Sequence, residues 1–170
     1  RSMYDTHPKL FEAGLPVVMN GAYMEPTPLG RTEWIKFIAA FFNKERQAEK
    51  VFRQIAEAYE QNAANAKKVS EKPTVMLEAP YQDTWWIPGG NSSAAKLIED
   101  AGAAYLWADD PTSGSHPRDF EAVYERAFNA DYWLNPGQWS SRQDGLREDA
   151  RFAQFEAFQH GKVYNRNARV

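Results

Sequence analysis

Cysteine is absent from this 170-residue sequence, which excludes disulfides and thiolate metal sites. Histidine is almost as scarce. His7, His116 and His160 are scattered along the chain, so the sequence shows no histidine motif of metal-binding or catalytic spacing. Positive charge is not in excess: Lys and Arg total 20 against 23 Asp and Glu, for a net charge of −3. With no basic runs either, the composition argues against nucleic acid as a partner. Long apolar runs are also missing. The longest, residues 38–42, is far too short to cross a bilayer, and none of the residues given is expected to form a secretory signal. Neither a Gly-x-Ser-x-Gly elbow nor a His-Glu-x-x-His pair occurs, so the common hydrolase signatures are lacking. There is no internal repeat and no low-complexity tract.

What the chain does have is aromatic mass. Aromatic residues make up 14% of it, six of them tryptophan, and 43% of residues are hydrophobic, enough for a sizeable core. The most informative stretch is residues 85–93, in which Trp85 and Trp86 precede Ile87, Pro88, Gly89, Gly90, Asn91, Ser92 and Ser93. It lies between an apolar run at 74–77 and a helix-like pattern. That places two large aromatics in a loop at the exit of a strand, the edge where open α/β sheets bind ligands.

Along the chain, residues 1–15 read as irregular, with His7-Pro8 and Gly14 as breakers. Residues 16–19 read as a short strand. Residues 25–31 hold two prolines and read as a stiff extended linker. Thr32 is the expected N-cap of a helix running to about Lys68. Its two apolar stripes contain Trp34, Phe37, Ile38, Phe41 and Phe42, then Val51, Phe52, Ile55 and Tyr59, with a break at Asn43. The rhythm then becomes strand and helix in alternation. Strands are expected at 74–79, 104–107, 131–135 and 162–164, and helices at 92–101, 117–130 and 148–159. Such alternation implies a parallel sheet with right-handed crossovers. The expected class is α/β, with a long backbone helix and a four-strand parallel, Rossmann-like lobe. The expected divisions are 1–31, 32–69 and 70–170.

This layout resembles the periplasmic binding proteins of ABC importers for iron-siderophores, haem and cobalamin. Residues 25–38 resemble the end of the first lobe and the start of the spanning helix. Residues 86–92, 119–123, 129–134 and 160–164 resemble successive parts of the second lobe, and the match covers 16–165. Most of a first lobe and the terminal helix of the second have no counterpart. The expectation is a trimmed chain from Arg1 to Val170, whose exposed helix and lone strand at 16–19 would pair with strands outside it or drive a dimer.

The resemblance implies capture of a small-molecule metal chelate between two lobes and its delivery to an ABC permease in the inner membrane. The location it implies is the periplasm or the outer face of the cytoplasmic membrane. No intrinsic cofactor, catalytic residue or protein metal ligand is implied, because iron or cobalt would arrive chelated. Candidate ligand-binding residues are Trp85, Trp86, Tyr81, Trp107, Trp139 and Arg142. The indoles would stack on a flat ligand, with at most one of Trp85 and Trp86 facing the cleft. Arg142 would meet chelate oxygens or serve as a surface charge. Glu121 would dock the permease, or else favour its helix's first turn. Residues 88–92 suggest a tight turn capped by Asn91 or Ser92, or a phosphate cradle. Asp109, Asp110 and His116 make a poor cation set. A carbohydrate-binding protein or glycosidase using tryptophan platforms is the alternative.

Overall fold

The structure, a computed structural model, describes residues 7–165. Its first departure from expectation is a helix, α1 (His7–Glu12), inside the stretch read as irregular. Residues 16–19 form no strand. Pro16 supplies no donor, and a lone strand has no ladder to join.

Helix α2 (Pro28–Ala40) starts four residues before Thr32. The Thr27 hydroxyl accepts from the Gly30 N–H at 3.1 Å, and Pro28 occupies the first turn, where its missing N–H costs nothing. Thr32 lies inside the helix and donates to the Pro28 carbonyl at 2.9 Å. Pro28 thus starts a helix rather than stiffening a linker. The expected break falls at Asn43, where φ is 52°, and α3 (Glu45–Ala66) follows. The two helices pack on each other. Lys36 reaches Glu49 at 2.8 Å and lies 4.1 Å from the centre of the Phe52 ring.

The main sheet is parallel, in the order β4-β1-β6-β7: β1 (Thr74–Leu77), β4 (Ala104–Tyr105), β6 (Tyr132–Leu134) and β7 (Val163–Tyr164). Asp131 pins the central pair, accepting from the Thr74 N–H at 2.7 Å and from its hydroxyl at 2.8 Å. A second, antiparallel sheet was not expected. It has the order β2-β3-β5: β2 (Pro80–Tyr81), β3 (Thr84–Pro88) and β5 (Ser115–Arg118). Trp85 and Trp86 therefore stand in a strand rather than a loop, and residues 115–118, the last two of them read as the start of a helix, pair with them. Gln82 and Asp83, with φ of 49° and 62°, make the two-residue turn between β2 and β3.

Helix α4 (Ser93–Asp100) is capped by Ser92, which accepts from the Ala95 N–H, and stops before Gly102, where φ is 81°. Helix α5 (Phe120–Ala127) is capped by Asp119. The single helix read at 148–159 is instead two pieces, a 3-10 turn at Ala150–Gln154 and α7 (Glu156–Gln159), and α6 (Arg142–Glu148) precedes them where no helix was expected. Asp149 is extended and caps the turn from the Arg151 N–H at 2.8 Å, while Phe155 is extended before α7. The breaks leave Phe152 and Phe155 wholly buried beside Trp133, with ring centres 5.3 and 5.2 Å from it.

Candidate functional site

In the parallel sheet, the chain leaves β1 for β4 on one side, and leaves β6 for β7 on the other. Connections diverge between β1 and β6, so the crevice of the sheet opens at the exits of these two strands. The residues found there are Glu78 and Asn135. Both have a left-handed backbone, with φ of 64° and 58°. For glutamate that conformation costs about 1–2 kcal/mol, since the Cβ crowds the following carbonyl.

Hydrogen bonds hold the pair in place. The Glu78 N–H donates to the Leu134 carbonyl at 3.1 Å, and the Asn135 N–H to the Tyr164 carbonyl at 2.8 Å. The Trp133 indole N–H donates to the Glu78 carbonyl at 2.6 Å. Between the side chains, Asn135 Nδ2 donates to Glu78 Oε2 at 2.8 Å. Both residues are half-buried. Beside them, at the exits of β6 and β7, lies a cavity of 310 Å³ lined by Pro136, Trp139, Ser140, Arg142, Tyr164 and Asn165 among others. On the β1 side rises the β2–β3 hairpin, which exposes Tyr81 (69%) and Trp86 (48%).

The structure divides the expected ligand-binding residues. Tyr81 and Trp86 are exposed on the hairpin. Trp85, on the opposite face of β3, is fully buried, with its indole N–H donating to the Leu77 carbonyl at 3.1 Å and its ring 5.5 Å from that of Trp133. Strand alternation puts one tryptophan out and the other in. Trp107 is a further correction: it is 3% exposed and packs on Tyr105. Trp139 is 7% exposed. It lends one side to the cavity, while its indole N–H donates to Glu148 Oε2 at 2.7 Å and its ring packs edge-on against Trp133 in the core.

Arg142 borders the cavity, but its guanidinium is committed to the end of α7, donating to the Phe158 carbonyl at 3.0 Å and the Gln159 carbonyl at 3.4 Å. That is a helix C-terminal contact, not an open cation. With only Trp86 exposed among Trp85, Trp86 and Trp139, the three-platform surface a sugar binder would use does not form.

Glu121 lies elsewhere, early in α5. Its side chain is 79% exposed, and its one ion pair is a long one, 3.6 Å to Arg151. Arg151 in turn is held by Asp149 and lies 4.0 Å from the centre of the Phe120 ring.

The Gly89-Gly90 turn is not an anion cradle. The N–H groups of Gly89, Gly90 and Asn91 donate to the carbonyls of Gly114, Asp110 and Thr112 at 2.8–2.9 Å. A Cβ on either glycine would run into Thr112 or the backbone of Ala108. The glycines let two loops touch. Ser92, not Asn91, is the cap. Asp109 pairs with Arg126, and the Asp110 carboxyl is held low chiefly by the Thr112 hydroxyl and N–H. His116 sits in β5 opposite Ile87. Among the described residues no cluster of three or more His, Cys, Asp or Glu could hold a metal.

Glu78 and Asn135 escaped the sequence reading. Each directly follows an apolar strand run and precedes a proline by one or two positions, but only strand order shows that the two exits are neighbours.

The comparisons with known proteins converge on one family. The family model described as periplasmic binding protein matches residues 2–169. Two lipoproteins of Methanocaldococcus jannaschii, themselves uncharacterized, are 36% and 31% identical to the chain, each over 92% of it. The chain spans only 41% and 38% of their lengths. Among solved structures, the apo haem-binding protein RhuT of Roseiflexus sp. RS-1 superposes with a TM-score of 0.74 at 20% identity, covering 96% of this chain and 62% of that one. An Fe3+-hydroxamate transport protein of Saccharomonospora viridis gives 0.74 at 15% identity, covering 96% and 58%. At such identities these two show the shared fold.

Proposed function

We propose that this chain, which belongs to the periplasmic binding protein family, contributes one wall of a binding cleft for an iron chelate or haem. Capture, not chemistry, is its role, in keeping with a family of solute-binding proteins. The observation that carries the reading is the family match along residues 2–169, combined with a sheet whose crevice opens at Glu78 and Asn135 beside an exposed Trp86. The cargo class is taken from similar folds described as haem-binding and Fe3+-hydroxamate transport proteins. The metal travels inside the ligand as substrate.

In this reading the loaded protein hands its cargo to an ABC permease, with Glu121 as an exposed docking contact. Similar structures described as ABC transporter substrate-binding proteins support the partner. The lipoprotein relatives support a position outside the cytoplasm, and no described helix is long and apolar enough to cross a membrane.

Tryptophan fluorescence of the full-length protein, titrated with haem, ferric hydroxamates, a ferric catecholate, cobalamin and an oligosaccharide, tests the reading. Saturable quenching by an iron chelate or haem, weakened in Trp86→Ala, is the expected result. A response to the oligosaccharide alone overturns it. For Glu121→Ala, unchanged affinity with reduced uptake is expected, and equal loss of both removes the docking role.

A further inference from the structure

The exits of β1 and β6 carry a negative charge with no cation against it among the described residues. Glu78 takes part in no ion pair among the described residues. Its one side-chain partner is the neutral amide of Asn135, which fixes the direction of the carboxylate without neutralising it. The described arginines that follow β1 and could reach this point are engaged elsewhere. Arg142 closes α7, Arg126 bonds the Leu106 carbonyl and Asp109, Arg118 meets Asp110, and Arg151 meets Asp149.

Strain points to the same place. Of the five described non-glycine residues with positive φ, four are Glu78, Gln82, Asp83 and Asn135, all at the exits of β1 and β6 or on the hairpin that follows β1. Glycine would occupy the Glu78 position without steric cost, so the side chain there is retained against backbone preference.

We propose that Glu78, oriented by Asn135, is the charge-selecting residue of the crevice. Resting on the binding function argued above, this names the substrate class more closely. The ligand turns a protonated amine, or N–H and O–H donors, toward this lobe. A half-buried carboxylate attracts such donors and repels an anionic chelate, because charge-assisted hydrogen bonds gain strength where water is partly excluded. A ferric hydroxamate with a free ammonium or amide groups fits. A ferric tris-catecholate, which carries several negative charges, does not.

The test uses the full-length protein and three probes: a ferric trihydroxamate bearing a free ammonium, a neutral ferric trihydroxamate, and a ferric tris-catecholate. Affinities are measured for the wild type and for Glu78→Gln, which keeps an oxygen to accept from Asn135 but removes the charge. The wild type is expected to bind the ammonium-bearing complex best. In Glu78→Gln that affinity falls about tenfold relative to the neutral complex, the size expected for one charge-assisted contact. Asn135→Ala, which frees the carboxylate to rotate, should weaken the same preference.

A wild type that prefers the catecholate, or an order unchanged in Glu78→Gln, overturns the selection while leaving the binding function standing. Binding of none of the three, nor of haem, overturns both. Matching melting curves for wild type and Glu78→Gln separate loss of selection from loss of fold.

Discussion

Tyr59 on α3 donates a hydrogen bond of 2.7 Å to Asp100 at the last turn of α4, the one side-chain hydrogen bond recorded between these two helices. Lys96 reaches the other carboxylate oxygen at 3.0 Å. Nearby, Gly102 passes so close to Ala66 that an added Cβ would lie 3.0 Å from the alanine methyl. The long helix is thus fixed to the α/β lobe by a polar bond and a tight backbone contact. Such a joint limits bending between them.

Replacing Tyr59 with Phe should cost about 1.5–3 kcal/mol, the range for a hydrogen bond to a charged acceptor. The pH dependence should change as well. Burial, then the bond to Asp100, pushes the Tyr59 hydroxyl from 10.0 up to about 12. The folded form keeps a proton the unfolded form loses, so this contribution is present below pH 10 and is lost as pH rises toward 12. Burial raises the Asp100 carboxyl, but the bonds from Tyr59 and Lys96 outweigh it and leave it below the ordinary 3.8. Its contribution is present above that value and is lost as pH falls. Urea midpoints across pH should show both slopes in the wild type, with the alkaline one reduced in Tyr59→Phe.

The tryptophan pair should separate cleanly. Trp85→Ala removes a fully buried ring and the donor to the Leu77 carbonyl, and should cost about 3–5 kcal/mol. Trp86→Ala, on the exposed face, should stay within about 0.5 kcal/mol of wild type. Thermal melts of both variants, read beside ligand quenching, check the assignment. A stable Trp85→Ala with lost binding would contradict the packing described.

Gly90→Ala should destabilise by about 3 kcal/mol, since the new methyl meets the backbone of Ala108 and Asp110 rather than a side chain that can move aside. In a chain of this size the melting temperature would drop by roughly 6–12 °C. Phosphate should not restore it, because the amides of that turn already donate to the facing loop.

Glu78→Gly should raise stability by up to about 1 kcal/mol. Relief of the left-handed strain exceeds the added freedom of the unfolded chain. A denaturant midpoint above wild type, together with lost discrimination between ammonium-bearing and neutral chelates, is the expected combination. A lower midpoint would mean that Glu78 contributes more to the fold than it costs.

Much of this protein is written locally. Apolar runs at β1 and β6, the Ser92 cap and the Gly102 stop of α4, and the alternation of strand with helix all act between neighbours in sequence. They set the class, the parallel sheet and the family resemblance. The Thr27-Pro28 helix start was equally local, but it was obscured by two prolines that also suit an extended chain.

What tertiary structure alone decided depends on residues far apart. Pairing of β3 with β5 turned a loop into a strand, and with it sent Trp85 inward and Trp86 outward. The carbonyl ends of α7 claimed Arg142. The order β4-β1-β6-β7 brought Glu78 beside Asn135, 57 positions away, at the crevice of the sheet. Composition and periodicity determine which segments can be helix or strand and which faces are apolar. Which strand exits become neighbours, and which charges stay unpaired there, is fixed only when hydrogen bonding and core packing close the sheet.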